Sequence, residues 1–475
     1  MGAGAEAMRP FVQIMPRYHL AYIFERFPTF TQTFCVREVL ELERMGVQPL
    51  IFSLHDTRGE SVRHYPQDLL ERVHFLPPEE ELVAQVLKWK DANELPQSVV
   101  LTLRQWGDRP DKNRVYEAAY ISHVLGRMNG AAPSHTHSHF AGIGARTCWW
   151  LRKFHGTSYS FTAHANDIFC SPEAQTPEFP ALFRDASLVV TVSDYTARQL
   201  KSRFTDDAAR VQRVYNGLDL QPFVEARARA DRSKAAGGIL SVGRLIEKKG
   251  YDDLITACAL LRDRGLTFRC RIVGEGPLEE ELKSQISNLN LEDHVTLTGP
   301  LGMPEIIRLL AEETQMFALA CKTESDGGKD NLPTVLMEAM AASLPCVSTK
   351  LAGVPEMVVD GTTGLLCEER QPGDFATHLA TLLADPARCD RMGAAGLEHA
   401  RKHFAKEQTT AALLRAFAER ASLRFDLTLA QRHGLLGVFA ARVMRTEPQL
   451  RHQVVKARDK SFDLTRFMGG AQGQA

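Results

Sequence analysis

The stretch Glu324 to Pro345, ESDGGKDNLPTVLMEAMAASLP, decides the reading of the chain. It opens with a polar run, Ser325 to Asp330, carrying two glycines. A helix is expected from about Leu332 to Ala342, with Asn331 as N-cap and Pro333 in the first turn, where a missing N–H costs nothing. Leu336, Met337 and Met340 give that helix an apolar face, Ser343 and Pro345 end it, and CVST at 346–349 reads as the next strand. One carboxylate, Asp330, therefore stands at a helix start, and a second, Glu338, about two turns along.

A helix N-terminus offers free N–H groups and the positive end of the helix dipole, so it suits an anion. An acid beside it suits hydroxyls as well, and a ligand with both, such as a sugar nucleotide, fits the pair. The alternative stays open: acids near helix starts are common, so Asp330 caps and Glu338 is an ordinary solvated helix residue.

Working outward, the second half repeats strand, loop, helix. GILSVGR from Gly238 is a strand running into the loop LIEKKG, and a helix follows at Tyr251–Arg264. FRCRIVGEG, HVTLTG, MFALA and VPEMVVDGTTGLLC supply further strands, with helices between them. This order is that of a doubly wound parallel sheet. Arg244 and Lys249 lie in the first loop beside Gly243 and Gly250, and two such cations suit a diphosphate.

The first half has the same grammar. HLAYIF at 19–24 and VQPLIFSL at 47–54 are strands around a helix from Val36 to Met45. Helices are expected near Glu79–Lys90 and Arg114–Met128, and the remainder of 60–130 has no assigned partners. HTHSHFA at 135–141 places His135, His137 and His139 on one strand face, with no distant cysteine or acid evident to complete a metal site. YSFTAHANDI puts His164 and Asp167 at the carboxyl end of a strand, where open α/β sheets bind ligands. Ser193 and Asp194 suit the start of the helix holding Gln199 and Leu200. The domains are expected at 1–222 and 237–403, joined by an alanine-rich, charged connection over 223–236 and followed by C-terminal helices and a basic tail over 404–475.

Composition limits the function class. The 475 residues are 44% hydrophobic and 24% charged, with a net charge of −1, so no overall basic signature for nucleic acid exists. Nine scattered cysteines without a CxxC pair fit reduced thiols rather than a disulfide framework. Residues 1–18 lack the apolar core of a signal peptide, and no run is long enough to span a bilayer, so a cytoplasmic protein is expected. GLLGVFAARVM at 434–444 is apolar and helix-like, and Arg442, Arg445, Arg451, Lys456, Arg458, Lys460 and Arg466 surround or follow it. Such a segment lies on the inner face of an anionic membrane or packs back on the first domain; the pattern fits both.

Taken together, VGRLIEKKGYDDLI, IVGEGPLEEEL, VTLTGPL, DNLPTVLMEAMAASLPCVST and AGVPEMVVDGTTGLL resemble the retaining glycosyltransferases of family 4. The likeness runs from FPTFTQTF to about Phe417, and the seven residues between Asp330 and Glu338 match the spacing of that family's paired acids. FPTFTQTF is similar to the SETF-type loop of its exopolysaccharide and colanic-acid-type members, with Gln32 in place of Glu. The resemblance implies the GT-B architecture, two Rossmann-like doubly wound α/β domains facing across a cleft. It implies a nucleoside-diphosphate sugar as donor substrate, no cofactor or metal, and a saccharide or lipid-linked saccharide acceptor.

The residue roles it implies are specific. Glu338 holds the ribose hydroxyls and Asp330 orients the donor sugar. Arg244 and Lys249 hold the diphosphate in place of a metal. Backbone amides around Leu332 and Thr334 contact the donor, the glycines Gly243, Gly274 and Gly276 border it, and His164 is the family's active-site histidine. Two departures stand out: the first acid is Asp330 rather than Glu, and Ser343 replaces the usual glycine. The shorter acid keeps a non-catalytic sugar-nucleotide-binding module in view as a rival function, and the shared architecture keeps a nucleotide-sugar epimerase.

Overall fold

The computed structural model describes residues 20–29, 32–59, 66–106, 111–128, 133–164 and 179–421. Asp167, the segment 434–444 and the basic residues after it lie outside the described residues.

Strands β1 (Leu20–Arg26), β2 (Leu50–His55), β3 (Val73–Phe75), β4 (His135–His139), β5 (Ser158–Ala163), β6 (Leu188–Thr191) and β7 (Val211–Arg213) build the first sheet. Its order is β3-β2-β1-β4-β5-β6-β7, and every pairing is parallel. Strands β8 (Gly238–Val242), β9 (Arg269–Val273), β10 (Val295–Leu297), β11 (Met316–Leu319), β12 (Cys346–Thr349) and β13 (Gly364–Cys367) build the second, ordered β10-β9-β8-β11-β12-β13 and again parallel. Apart from β4, HTHSH, the strands are largely apolar, as expected of sheets with helices on both faces. In each sheet the winding reverses once, between β1 and β4 and between β8 and β11. The crevice at such a switch point is where a doubly wound fold binds its ligand.

The 60–130 region holds more than expected: β3 and the helices Gln67–Glu71 and Gln97–Trp106, besides Glu79–Asp91 and Lys112–Arg127. β3 has only three residues, too short to show an alternating pattern. The stretch 223–236, read as a connection, is partly the helix Gln221–Arg229, which has Pro222 in its first turn and buries Phe223 in the second domain's core.

The chain crosses between domains twice, and the crossings touch. The Leu218 amide donates to the Phe404 carbonyl (2.8 Å), and the Lys406 amide donates to the Leu218 carbonyl (3.0 Å). Lys406 Nζ meets Asp219 Oδ2 at 2.6 Å. Gly217 is needed there, because a Cβ would lie 2.7 Å from the Lys406 Cα. After the second crossing, the helix Lys406–Ala421 returns to the first domain. Leu413, Leu414 and Phe417 join the core that holds Tyr22, Val36 and Leu42.

Candidate functional site

Loop 243–250 follows β8, and loop 320–333 follows β11, so the second switch point brings them together. Gly250 has φ +64°, and a Cβ there would lie 1.8 Å from the Ala320 carbonyl oxygen. Only glycine lets the two loops close to that distance. Lys249 Nζ then reaches Asp330 Oδ2 at 2.5 Å, with both side chains mostly buried. Burial works against the lysine's charge, but Asp330 first, with Cys321 and Glu338, together outweigh it and hold the ammonium above its usual range.

Glu338 is 6% exposed, which removes the reading of an ordinary solvated helix residue. Burial raises its carboxyl above the usual range, while the charges of Arg37 and Lys249 pull the other way. Arg37 stands on the helix Thr33–Arg44 of the first domain, so cations from both domains act on this one acid. Arg244 is exposed at the same loop.

The helix expected from Leu332 begins instead at Thr334 and runs to Ala341. The residue before a proline is driven out of helical conformation, and Pro333 itself is extended at ψ 108°. No side chain caps this helix, which leaves the amides of its first turn at Thr334 uncovered by one. Leu332 is buried in the second domain's core. Gly274 and Gly276 brace the first loop: a Cβ on either would lie 2.0 Å from the Gly243 carbonyl oxygen or 2.5 Å from that of Leu245.

Asn331, expected as the cap of that helix, reaches the other domain. Its Oδ1 lies 2.8 Å from the Ser193 Oγ, and its Nδ2 donates to Thr196 Oγ1 (2.8 Å). Ser193 caps the helix Asp194–Arg203 as its sequence predicts, accepting from the Thr196 amide. The Glu356 carboxylate, from the second domain, covers the same helix start. It accepts from the amides of Asp194 (2.7 Å) and Tyr195 (2.8 Å) and from the Tyr215 hydroxyl (3.1 Å). The carboxyl edges of the two sheets therefore meet, and the loop bearing Asp330 is tied to the opposite domain one residue later.

His164 follows β5 on the first domain's carboxyl edge. Its ring lies 4.5 Å from that of Phe140, 5.0 Å from Phe34 and 5.8 Å from His139. Burial first, and then the charge of His139, push its imidazole down to about 3, so the ring is neutral. The histidines of β4 are held by hydroxyls of its neighbour β5. His135 meets Ser158 and Ser160, and His137 meets Ser160 (2.7 Å) and Thr162 (3.1 Å). An acid does join them, contrary to the sequence expectation: Glu38, His137 and His139 have atoms within 4.8 Å of one another. Both ring nitrogens of His137 are already engaged by hydroxyls, so the group is a hydrogen-bonded cluster. Arg37, Glu38 and Glu356 escaped the sequence reading. The first two lie three and four residues beyond FPTFTQTF, and Glu356 lies inside AGVPEMVVDG.

A family model described as Glycosyltransferase Family 4 matches residues 31–222, and one described as Glycosyl transferases group 1 matches 225–399. The chain belongs to the family 4 glycosyltransferases. It is 29% identical over 382 residues to a protein of Salmonella typhimurium named as the colanic acid biosynthesis glycosyltransferase WcaL, covering 78% of this chain and 91% of that one. A glycosyltransferase structure from Rickettsia africae superposes with a TM-score of 0.63 at 15% identity, over 85% of this chain and 98% of that one. Anabaena HepE in complex with UDP gives 0.59 at 17%, over 84% and 99%. These structures establish the fold of this glycosyltransferase as GT-B. Among the described residues, no helix is long and apolar enough to cross a membrane.

Proposed function

We propose that this glycosyltransferase moves a hexose from a nucleoside-diphosphate sugar to a saccharide, lipid-linked in the cell, during assembly of a bacterial surface polysaccharide, and that the anomeric configuration is retained. The observation that carries this reading is the convergence of Lys249, Asp330 and buried Glu338 at the second switch point, facing the domain that holds His164. The acceptor class is supported by the WcaL relative, whose name places it in colanic acid biosynthesis.

The chemistry follows from where charge grows. The anomeric carbon loses a nucleoside diphosphate, so negative charge accumulates on the β-phosphate. Lys249, Arg244 and the amides at Thr334 face that charge without a metal, and preorganised donors of this kind lower the barrier by on the order of 3 kcal/mol each. Glu338 takes the ribose hydroxyls, Asp330 orients the sugar while it anchors Lys249, and neutral His164 hydrogen-bonds the sugar from across the cleft. With no nucleophile assigned to the opposite face, substitution proceeds on the front face, and the leaving phosphate accepts the acceptor's proton. The work takes place at the cytoplasmic side of the membrane, where a lipid-linked acceptor is presented, with the basic tail as the peripheral contact.

Thermal-shift binding against UDP, GDP, ADP and their hexose conjugates, with Arg244→Ala alongside, tests this. A nucleotide that stabilises wild type and not the variant places the diphosphate at Arg244 and names the base. Binding without release of free nucleotide from the conjugate overturns the transferase reading in favour of a non-catalytic module. An isomerised donor overturns it in favour of an epimerase.

A further inference from the structure

The cluster behind His164 has an arrangement that packing alone does not require. Glu38 Oε1 accepts the Tyr22 hydroxyl at 2.5 Å and lies 3.0 Å from His139 Nε2. Tyr22 and His139 are buried, on adjacent strands β1 and β4 at the first switch point. The His139 ring is flanked by others. Phe24 stacks on it at 5.9 Å with planes 7° apart, and His164 lies 5.8 Å away at 30°. Phe34 touches both histidines, at 5.7 Å from His139 and 5.0 Å from His164. Glu38 and Phe34 stand on the same helix, Thr33–Arg44, one turn apart. One carboxylate thus fixes the wall against which His164 is seated.

We propose that Glu38 is a positioning residue for His164: its carboxylate, shared by the Tyr22 hydroxyl and the His139 ring, locks the imidazole that backs His164 in the cleft. This rests on the reading of His164 as the histidine that faces the donor sugar. The groups facing His139 are Tyr22, Cys35, Glu38, His137 and His164. Burial disfavours charge on His139, yet Cys35 and Glu38 outweigh it and hold the ring's proton affinity above the usual range. Burial raises the Cys35 thiol above its usual range. After burial, the charge of His139 is what pushes the His164 imidazole down, so by holding the His139 ring Glu38 acts on both the seat and the protonation of His164.

The test uses the full-length protein with histidine labelled by ¹⁵N and ¹³C, in wild type, Glu38→Gln and Glu38→Ala, with His164→Asn to assign the His164 signals. The expected result is a His164 ring that stays neutral down to pH 5 in wild type, and that titrates at higher pH with shifted resonances in Glu38→Ala. Glu38→Gln, which keeps an acceptor for Tyr22, recovers the resonance positions in part and not the titration. Unchanged His164 signals in a folded Glu38→Ala overturn the proposal. If Glu38→Ala does not fold, Glu38→Gln decides by the same criterion.

Turnover separates this from the parent reading. With UDP-glucose or GDP-mannose, whichever stabilises the protein, Glu38→Ala lowers nucleotide release tenfold or more while the nucleotide's thermal shift is kept. In the His164→Asn background the same change has no further effect. An equal loss in both backgrounds overturns the proposal. A His164→Asn protein as active as wild type overturns the parent reading instead, and the resonances alone then decide whether Glu38 positions that ring.

Discussion

Lys249 and Asp330 form one unit, and removing either leaves the other charged and mostly buried. Lys249→Ala is expected to lower nucleotide release by about a hundredfold, through loss of a charge aimed at the leaving phosphate. Steady-state kinetics with the donor found by thermal shift checks it. A second residue-scale expectation concerns Glu117, on the helix Lys112–Arg127 and away from the cleft. Burial pushes its carboxyl from 4.5 up to about 7, and the nearby Arg114 and the Thr147 hydroxyl offset only part of that. The native state therefore holds a proton that the unfolded chain releases near 4.5. Its contribution is full below pH 4.5 and is lost as pH rises through about 7. Urea unfolding at pH 5 and pH 8 is expected to differ by roughly 2 kcal/mol more in wild type than in Glu117→Gln. The sequence displayed Asp330, Glu338, Arg244 and Lys249 because local loops carry them at fixed spacing. It hid Glu38 because the His139 that explains it lies 101 residues away, and hid Arg37 because its charge acts on Glu338 across the cleft.

At the scale of the element, the helix Thr334–Ala341 ends in a left-handed residue. Ser343 has φ +54°, its amide donates to the Met340 carbonyl, and the Leu344 amide donates to that of Ala339. This is the paired bonding of a Schellman cap, whose left-handed position favours glycine. Ser343→Gly is expected to stabilise the protein by about 1 kcal/mol, read as a higher urea midpoint at unchanged slope. The departure from the family's usual glycine is thus a local strain at one helix end, and it does not touch the start of the same helix at Thr334. The start of this helix was misplaced by two residues because propensity favours Leu332, whereas Pro333 forbids helical backbone before it. The run HTHSH was legible as a strand, but not its partner: the ladder of Ser158, Ser160 and Thr162 that holds its rings is set by register with β5.

Across the whole molecule, the two doubly wound sheets were legible from the repeat of strand, loop and helix, since that order leaves few arrangements. How the domains touch was not, because no local pattern encodes it. Glu356 and Asn331 hold the start of helix Asp194–Arg203 from the other domain. Glu356→Ala is expected to open the cleft, read as a larger radius of gyration in solution scattering without nucleotide. Bound UDP or GDP, whichever stabilises the protein, should close part of the difference. Phe417 packs its ring 5.2 Å from His135 and 5.1 Å from His137, and it is fully buried. Phe417→Ala is expected to cost about 3–5 kcal/mol in urea unfolding, although the residue sits in the last described helix.

The two touching crossings at Leu218 and Phe404–Lys406 mean that the first domain is not a contiguous piece of chain. Its floor is laid by residues that come after the whole second domain, so the ribosome releases its first sheet with Tyr22, Leu188 and Val190 uncovered until residues 406–421 emerge. A cut at the domain border leaves the first half incomplete. Residues 1–222 expressed alone lack one wall, and joining 406–421 to them by a short linker supplies it. The second domain, whose core closes between Leu218 and Phe404, is the part able to fold first.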